Sequence, residues 1–356
     1  MVDTSEATLR AKILAELPPE ALVRRPLRIL LAIPLIAVIV GTSLLLVRAD
    51  IPWYGTLLAW AVLGNAYAAL MFFGHEMCHG AVTRSERLQN AVLVASLAIF
   101  VVSPHLWRHW HNRLHHGHTN MPGVDPDRYD LLDEFRLSHP LLRWLTGRLA
   151  PGSGHWLSAF YLFIAFTAHA QSVLWHYSRR HAHSGFRWKR AVGETIVPAV
   201  FWLALAVAVG PRGAVTIIVV PMLLANAIVM AYITTNHMLR PLTDTRDAVS
   251  TSLSVTTPRV IDMLHLHFSH HIEHHLFPSL SHRYYPLVRR SLRRHAGVSY
   301  SAPTHWRALL ALYRTPRHYA DYHTLINPLT GTRVALAAVE DRLRRADPQR
   351  RMGTAA

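Results

Sequence analysis

Long apolar runs constrain the fold of this chain more than any other feature. Residues 28–47 read RILLAIPLIAVIVGTSLLLV, and residues 54–73 read YGTLLAWAVLGNAYAALMFF. Each run has about 20 residues, the length that an α-helix needs to cross the hydrocarbon core of a bilayer. Because backbone groups in lipid must find their partners within the protein, such runs fold as helices. The sequence therefore predicts an all-α integral membrane protein.

The composition agrees with this prediction. Hydrophobic residues make up 51% of the chain and charged residues 16%, whereas a soluble domain averages roughly 25% charged. The single cysteine, Cys78, excludes an internal disulfide and fits a reducing compartment. The net charge of +16 suits loops that face anionic lipid or an acidic electron carrier. No basic stretch resembles a nucleic-acid-binding module, so nucleic acid is not an expected partner.

Four membrane spans are expected in total. The other two are 194–210 and 213–235, whereas 90–104 is too short and is expected to be re-entrant or interfacial. The apolar run 156–176 carries three polar side chains that hydrocarbon penalises, so it is expected at the interface. An even number of crossings then places both termini and the histidine-rich loops on one side, and the basic loops make that side cytoplasmic.

The regions outside the spans suggest three segments. Residues 1–27 are expected to form an N-terminal interfacial segment, and residues 28–290 a membrane domain with a cytoplasmic helical cap. Residues 291–356 are polar and rich in arginine, as expected of a solvated cytoplasmic tail with short amphipathic helices. In a bacterium, the membrane would be the inner membrane.

Three clusters of histidines lie beside the apolar runs. Neutral imidazole is a good ligand for iron, zinc and copper, and residues at i, i+3 and i+4 share one face of a helix. Eight such ligands exceed what one metal takes, so they predict two metals close together, and His237 after the last span offers a ninth. The clusters are His75 and His79; His111, His115 and His116; and His271, His274 and His275.

A ligating histidine usually donates its other ring N–H to an acceptor, and this bond fixes the orientation of the ring. Acidic residues close to the clusters in sequence are the candidates for this role. They are Glu76, Asp125, Asp127, Asp244, Asp247, Asp262 and Glu273. Other histidines of the same regions, such as His267, His270 and His282, are expected near the site or at the surface.

Two interpretations from other functional classes compete with a centre of two metals. His75-Glu76-Met77-Cys78-His79 matches H-E-x-x-H, in which two histidines bind zinc and the glutamate acts as general base of a metalloprotease. A membrane zinc metalloprotease would leave the second and third clusters without a role. A non-catalytic metal carrier would need polar residues along a transmembrane path, and Asn65 and Asn226 are the clearest in the spans.

The three clusters read H-x3-H, H-x3-H-H and H-x2-H-H, in that order around apolar runs. In this pattern the chain resembles the integral-membrane fatty acid desaturase and hydroxylase superfamily. The residues around the third cluster, His270-His271-Ile272-Glu273-His274-His275-Leu276-Phe277-Pro278, are especially similar. The resemblance runs from about residue 30 to residue 290.

The resemblance implies a non-haem di-iron centre whose ligands are the eight histidines, with His237 as a ninth. It also implies O2 as cosubstrate and the attack of an unactivated C–H bond of a fatty acyl chain, presented as a free acid, coenzyme A ester, carrier-protein ester or membrane lipid. Desaturation is the expected reaction, with hydroxylation and oxidative decarboxylation to a terminal alkene as alternatives. Electrons are expected from a separate ferredoxin, rubredoxin or similar donor and its reductase.

Overall fold

The computed structural model describes residues 6–178 and 185–348. These residues form two compact units, each built from separate stretches of the chain. We call residues 24–113 and 162–230 the membrane unit, and the remaining described residues the polar unit. The division of the chain at residues 27 and 290, made from the sequence, stays a prediction.

The described residues are mostly helical, which confirms the predicted fold class. The α-helices are α1 Glu6–Glu16, α2 Ala32–Arg48, α3 Trp53–Cys78, α4 Glu86–Ala98, α5 Pro104–Trp107, α6 His116–His118, α7 Leu132–Leu137, α8 Pro140–Leu149, α9 Tyr161–Ser172, α10 Trp188–Gly213, α11 Val220–His237, α12 Ala248–Thr251, α13 Arg259–Leu264, α14 His271–Leu276, α15 Tyr285–His295, α16 His305–Arg314 and α17 Leu336–Arg345.

Shorter or wider helical turns connect several of these helices. The 3₁₀ turns are Pro19–Leu22, Pro26–Leu31, Trp156–Phe160, His282–Tyr284 and Gly297–Ser299, and the π-helical segments are Arg108–His115, Val173–Tyr177 and Ala214–Val219. Three short strands, β1 His318–Asp321, β2 Thr324–Ile326 and β3 Arg333–Ala335, pair in that order as an antiparallel sheet.

Four helical segments of the described chain are long and apolar enough to cross a membrane. They are Pro26–Arg48, Trp53–Cys78, Trp156–Tyr177 and Trp188–His237. The first two contain the predicted spans 28–47 and 54–73. The last has 50 residues, well over the roughly 20 that one crossing needs. It bends at Gly210, whose φ of 70° favours glycine. Gly210 is the last residue of the predicted span 194–210, and the predicted span 213–235 follows the bend.

Segment Trp156–Tyr177 was not expected among these candidates. One of the polar side chains that argued against it, Gln171, is hydrogen-bonded within the membrane unit. Gln171 donates a 2.8 Å hydrogen bond to the carbonyl of Val101 and accepts one of 3.2 Å from the Trp175 indole. Such internal partners lower the free-energy cost of polar groups in an apolar setting, and a sequence pattern does not reveal them.

Helix α3 organises the membrane unit, since α2 and α4 both pack against it. At Gly74 a Cβ atom would lie 2.0 Å from the Ser96 hydroxyl oxygen of α4, far inside van der Waals contact. Glycine therefore lets the two helices approach closely one residue before His75. The buried C-terminal half of α3 thus holds the first histidine cluster within a tightly packed region.

The core of the polar unit joins the N-terminal helix to the third histidine cluster. Leu9 and Ile13 of α1 are buried with Leu276 of α14 and with Val288 and Leu292 of α15. Helix α1 was expected to lie at an interface, but its apolar side is used in this core. Burying an aliphatic side chain of this size contributes about 1.5–3 kcal/mol, so α1 stabilises the helices behind the cluster.

The C-terminal sheet was not predicted from the sequence. Tyr319 and Leu325 of this sheet are buried together with Leu242 and Leu336, and the Tyr319 hydroxyl donates a 2.7 Å hydrogen bond to the Arg240 carbonyl. The strands have only three or four residues each, too few for a clear alternation of apolar and polar side chains. One of the short amphipathic helices expected in the C-terminal region is present as α17, which directly follows β3.

Candidate metal centre

Three histidines of the membrane unit lie in direct contact. His75 and His79 are one turn apart at the end of α3, and their ring centroids are 4.8 Å apart. His111, on the π-helical segment, places its Nε2 atom 2.9 Å from the Nε2 atom of His75. The Trp107 ring stacks on His111 at 4.5 Å and limits its rotation. The three potential ligand atoms lie within 4.8 Å of one another.

Four histidines of the polar unit form a second set, which we call the four-histidine set: His115, His237, His271 and His275. Their potential ligand atoms also lie within 4.8 Å of one another. The His271 Nε2 atom is 2.6 Å from that of His237 and 3.1 Å from that of His275. Ligands of a tetrahedral metal with bonds near 2.1 Å are about 3.4 Å apart. The His271–His275 distance is close to this value, whereas the His237 and His271 nitrogens would have to move apart to bind one ion.

A pair of histidines lies beside this set. The Nε2 atoms of His116 and His274 are 3.0 Å apart, and the His116 ring stacks on His275 at 4.3 Å. All nine histidines singled out in the sequence therefore have at least one other of the nine as a close neighbour in the same unit. That they bind metal stays a prediction.

Four of the candidate ligands in the polar unit place their Nδ1 atom beside a hydrogen-bonding partner. His115 Nδ1 lies 3.2 Å from an oxygen of Asp125 and 3.2 Å from one of Asp127. The partners of the other three are the Thr251 carbonyl for His237 at 3.4 Å, the Tyr285 hydroxyl for His274 at 3.0 Å and the Thr119 hydroxyl for His275 at 3.3 Å. In each case Nε2 remains for a metal, as in known metal sites.

Only some of the acidic residues proposed from the sequence contact a histidine of the four-histidine set. Asp125 and Asp127 contact a histidine of the four-histidine set. Asp247 caps α12, Asp244 accepts from Tyr322, and Glu76 forms two hydrogen bonds of 2.7 and 2.9 Å with Arg28. Tyr285, Thr119 and Thr251 were missed, because a hydroxyl or carbonyl partner leaves no sequence signal.

Burial and neighbouring charge set the protonation of this set. Burial lowers the pKa of His275, and the adjacent His116 and His271 lower it further, so its imidazole stays neutral. Burial also acts to lower the pKa of His115, but the carboxylates of Asp125 and Asp127 outweigh it and raise that pKa. These carboxylates would offset the charge of a bound cation. The neutral ring of His275 is the form in which histidine ligates metal, whereas His115 would have to release a proton when metal binds.

Glu273 lies within the third cluster but does not face the histidines' metal side. It is fully buried and accepts hydrogen bonds from Arg289 Nε at 2.8 Å and from the Tyr300 hydroxyl at 2.6 Å, and it also accepts from Ser254. Arg289 donates in addition to the carbonyls of Val255 and Ser269. Burial acts to raise the pKa of Glu273, but the Arg289 charge, the nearby His270 and the hydrogen bonds from Ser254 and Tyr300 together outweigh it, so the net shift is downward. The pair anchors α14, which carries three of the nine histidines.

Apolar helices able to cross a membrane, together with buried sets of imidazoles, define a helical membrane protein with candidate metal-binding clusters. A family model described as "Fatty acid desaturase" matches residues 51–308. This range includes all nine histidines and more than half of the chain. The protein belongs to the fatty acid desaturase family, which confirms the resemblance seen in the sequence.

Curated relatives agree with the family. The chain is 26% identical to the chloroplastic omega-6 fatty acid desaturase of Arabidopsis thaliana over 293 residues, which cover 78% of this chain and 62% of the relative. It is also 26% identical to the Brassica napus enzyme of the same name, covering 65% and 52%. The acyl-lipid (7-3)-desaturase of Rebecca salina is 26% identical, covering 74% and 66%. The chain thus spans between about half and two thirds of each relative.

Replacing Glu273 by glutamine tests the anchor of α14. The substitution keeps the shape of the side chain but leaves the Arg289 charge buried without an anion. Removing one partner of a buried pair costs about 3–5 kcal/mol, so thermal unfolding should occur at a clearly lower temperature. Asp133→Asn is the control, since the Asp133–Arg136 pair is exposed and should contribute under about 1 kcal/mol. Equal unfolding temperatures for both variants would refute the anchoring role.

Replacing Tyr285 by phenylalanine tests the hydroxyl that faces His274 Nδ1. Loss of such a partner lowers metal affinity by about 10–100-fold, and iron titration of the purified apoprotein would measure it. Tyr322→Phe is the matched control, because the Tyr322 hydroxyl bonds to Asp244 rather than to a histidine of the nine. Unchanged affinity in Tyr285→Phe would show that this contact does not orient a ligand.

Proposed function

We propose that the protein is an O2-dependent di-iron oxidase that desaturates a fatty acyl chain. The observation that carries the proposal is the four-histidine set, whose nitrogens converge within a chain of the fatty acid desaturase family. The names of the curated relatives favour desaturation over the alternatives of hydroxylation and oxidative decarboxylation. Family membership also favours oxidative chemistry over a zinc metalloprotease built on His75, Glu76 and His79.

The donor sets suit iron. We assign His115, His237, His271 and His275 to one iron, and His75, His79 and His111 to the other, since imidazole is a common iron ligand. His116 and His274 are further ligands in this proposal. That all nine histidines serve a single pair of irons is the prediction made from the sequence, and it is part of the proposal.

When bound, the irons would supply, with O2 and electrons, an oxidant able to remove hydrogen from an unactivated C–H bond, which no side chain can do. The protein contributes orientation and shielding. Thr119, Thr251 and Tyr285 fix the rings of His275, His237 and His274 through their Nδ1 atoms. Burial of the four-histidine set excludes water, which protects a strong oxidant from side reactions. An apolar acyl chain suits the apolar helices of the membrane unit.

In this proposal the electrons come from a separate protein, as the resemblance to the family implies. The net charge of +16 favours an acidic donor such as a ferredoxin or rubredoxin. The acyl group would be presented as a free acid, a coenzyme A or carrier-protein ester, or part of a membrane lipid.

Product analysis tests the reaction. Purified protein with iron, O2, an electron donor and its reductase should convert one acyl form to an unsaturated product, identified by mass spectrometry. His274→Ala should lose the activity and bind less iron. His295→Ala should retain both, because its imidazole bonds to Glu16. A hydroxylated or shortened product would replace desaturation by one of the alternatives, and full turnover by His274→Ala would remove the third cluster from the site.

The orientation in the membrane is part of the proposal. We place both termini and the histidines on the cytoplasmic side, because the basic loops flank the apolar runs there. This orientation requires that Trp156–Tyr177, although long and apolar enough to cross the membrane, lies at the interface, as the sequence predicts. Arg212, at the bend between 194–210 and 213–235, should then lie on the opposite side. A topology reporter fused at Arg212 should be active outside the cytoplasm, whereas one fused to the C-terminus should be active inside it. Cytoplasmic activity of the Arg212 fusion would contradict this orientation.

A further inference from the structure

A third group of potential metal ligands lies in the polar unit, apart from the nine histidines. It consists of Asp262 on α13, His267 in the following loop and His270 just before α14. One ligand atom from each of the three residues lies within 4.8 Å of the other two. These residues are half-buried or buried, so a bound ion would be largely shielded from competing water.

The distances within the group suit a small divalent cation. His267 Nδ1 lies 2.9 Å and His270 Nδ1 3.7 Å from the same carboxylate oxygen, Asp262 Oδ2. Ligand atoms of a tetrahedral zinc site with bonds near 2.1 Å are about 3.4 Å apart. The two distances bracket that value, so small adjustments would bring the three atoms around one ion.

Hydrogen bonding accounts for only part of the arrangement. The other carboxylate oxygen, Asp262 Oδ1, accepts from the hydroxyls of Ser269 and Thr257. The distance from His267 Nδ1 to Oδ2 is short enough for a hydrogen bond, whereas the 3.7 Å distance from His270 Nδ1 to Oδ2 is too long for one. His270 Nδ1 lies instead 3.0 Å from the Ser269 hydroxyl. A second imidazole is thus held close to Oδ2 without bonding to it.

The backbone of the loop supports the same conclusion. Leu266 and His267 both have positive φ values, 51° and 55°. This left-handed conformation is costly for residues with a Cβ atom, and such strain concentrates at binding sites. The turn lets the His267 amide donate a 2.7 Å hydrogen bond to the Asp262 carbonyl, and it brings the His267 side chain back to the Asp262 carboxylate.

We propose that Asp262, His267 and His270 bind one zinc ion in addition to the two proposed irons. Two imidazoles and one carboxylate are a donor set that zinc takes in proteins, with water in the fourth position. The His282 ring lies 5.4 Å from that of His267. The ion would fix the loop between α13 and α14 and so hold the start of the helix that carries the third cluster. The inference does not depend on the proposed function.

Metal analysis of the full-length protein in detergent tests the proposal. Iron-loaded protein is incubated with zinc sulfate and passed over a desalting column, and zinc and iron are counted by mass spectrometry. The wild type should retain about one zinc per chain beyond its iron, with an X-ray absorption edge showing nitrogen and oxygen neighbours. Zinc should also raise its melting temperature. Absence of retained zinc would overturn the proposal.

His267→Asn is the decisive variant. Asparagine tolerates the left-handed conformation, and its amide can donate to Asp262 in place of His267 Nδ1, but an amide nitrogen cannot bind zinc. The variant should therefore fold, keep its iron and lose the retained zinc, together with the zinc-dependent rise in melting temperature. His295→Asn, outside all three groups, should keep the zinc. If His267→Asn also keeps it, the group is a hydrogen-bonded turn and the proposal is wrong.

Discussion

The buried ion pair between Glu273 and Arg289 is the contact on which the candidate centre depends most. Helix α14 has only six residues, far fewer than a helix needs to be stable in isolation. Glu273 therefore ties this helix to α15 through Arg289, and to the loop that contains Ser254 through the hydrogen bond from its hydroxyl. A buried pair of this kind contributes little net stability, because desolvation offsets the attraction. Its effect is to fix one orientation of the helix, and that orientation is what a set of metal ligands requires.

The histidine rings themselves also need a fixed orientation. A ring that turned freely about its χ angles would place Nε2 in several positions, and each would have to be excluded when metal binds. Asp125, Thr119, Thr251 and Tyr285 remove this freedom by bonding the Nδ1 side of four rings. Because the rings are already ordered, metal binding would cost less conformational entropy. The residues that position the histidine rings thus come from loops and helices that are distant from one another in the sequence.

Much of the fold and of the candidate site could be predicted from the sequence. Apolar length gave the spans 28–47 and 54–73, and helical spacing brought out eight of the nine histidines, because both signals are local in the sequence; His237 was proposed from its place after the last span. Long-range contacts could not be predicted in this way. The bonds of Gln171 that offset its polarity, the core position of α1 and the strands of residues 318–335 arise from partners far away in the chain. The hydroxyl of Tyr285 was missed for the same reason.

The doublets in the second and third clusters have a physical explanation in the polar unit. Successive side chains on a helix point about 100° apart, so two adjacent histidines cannot face one metal equally well. In the doublet His115-His116, the first residue belongs to the four-histidine set and the second pairs with His274. In the doublet His274-His275 the order is reversed, since His275 belongs to the set. Each doublet therefore divides its imidazoles between two neighbouring positions, an arrangement suited to two metals and one that a single metal would not require.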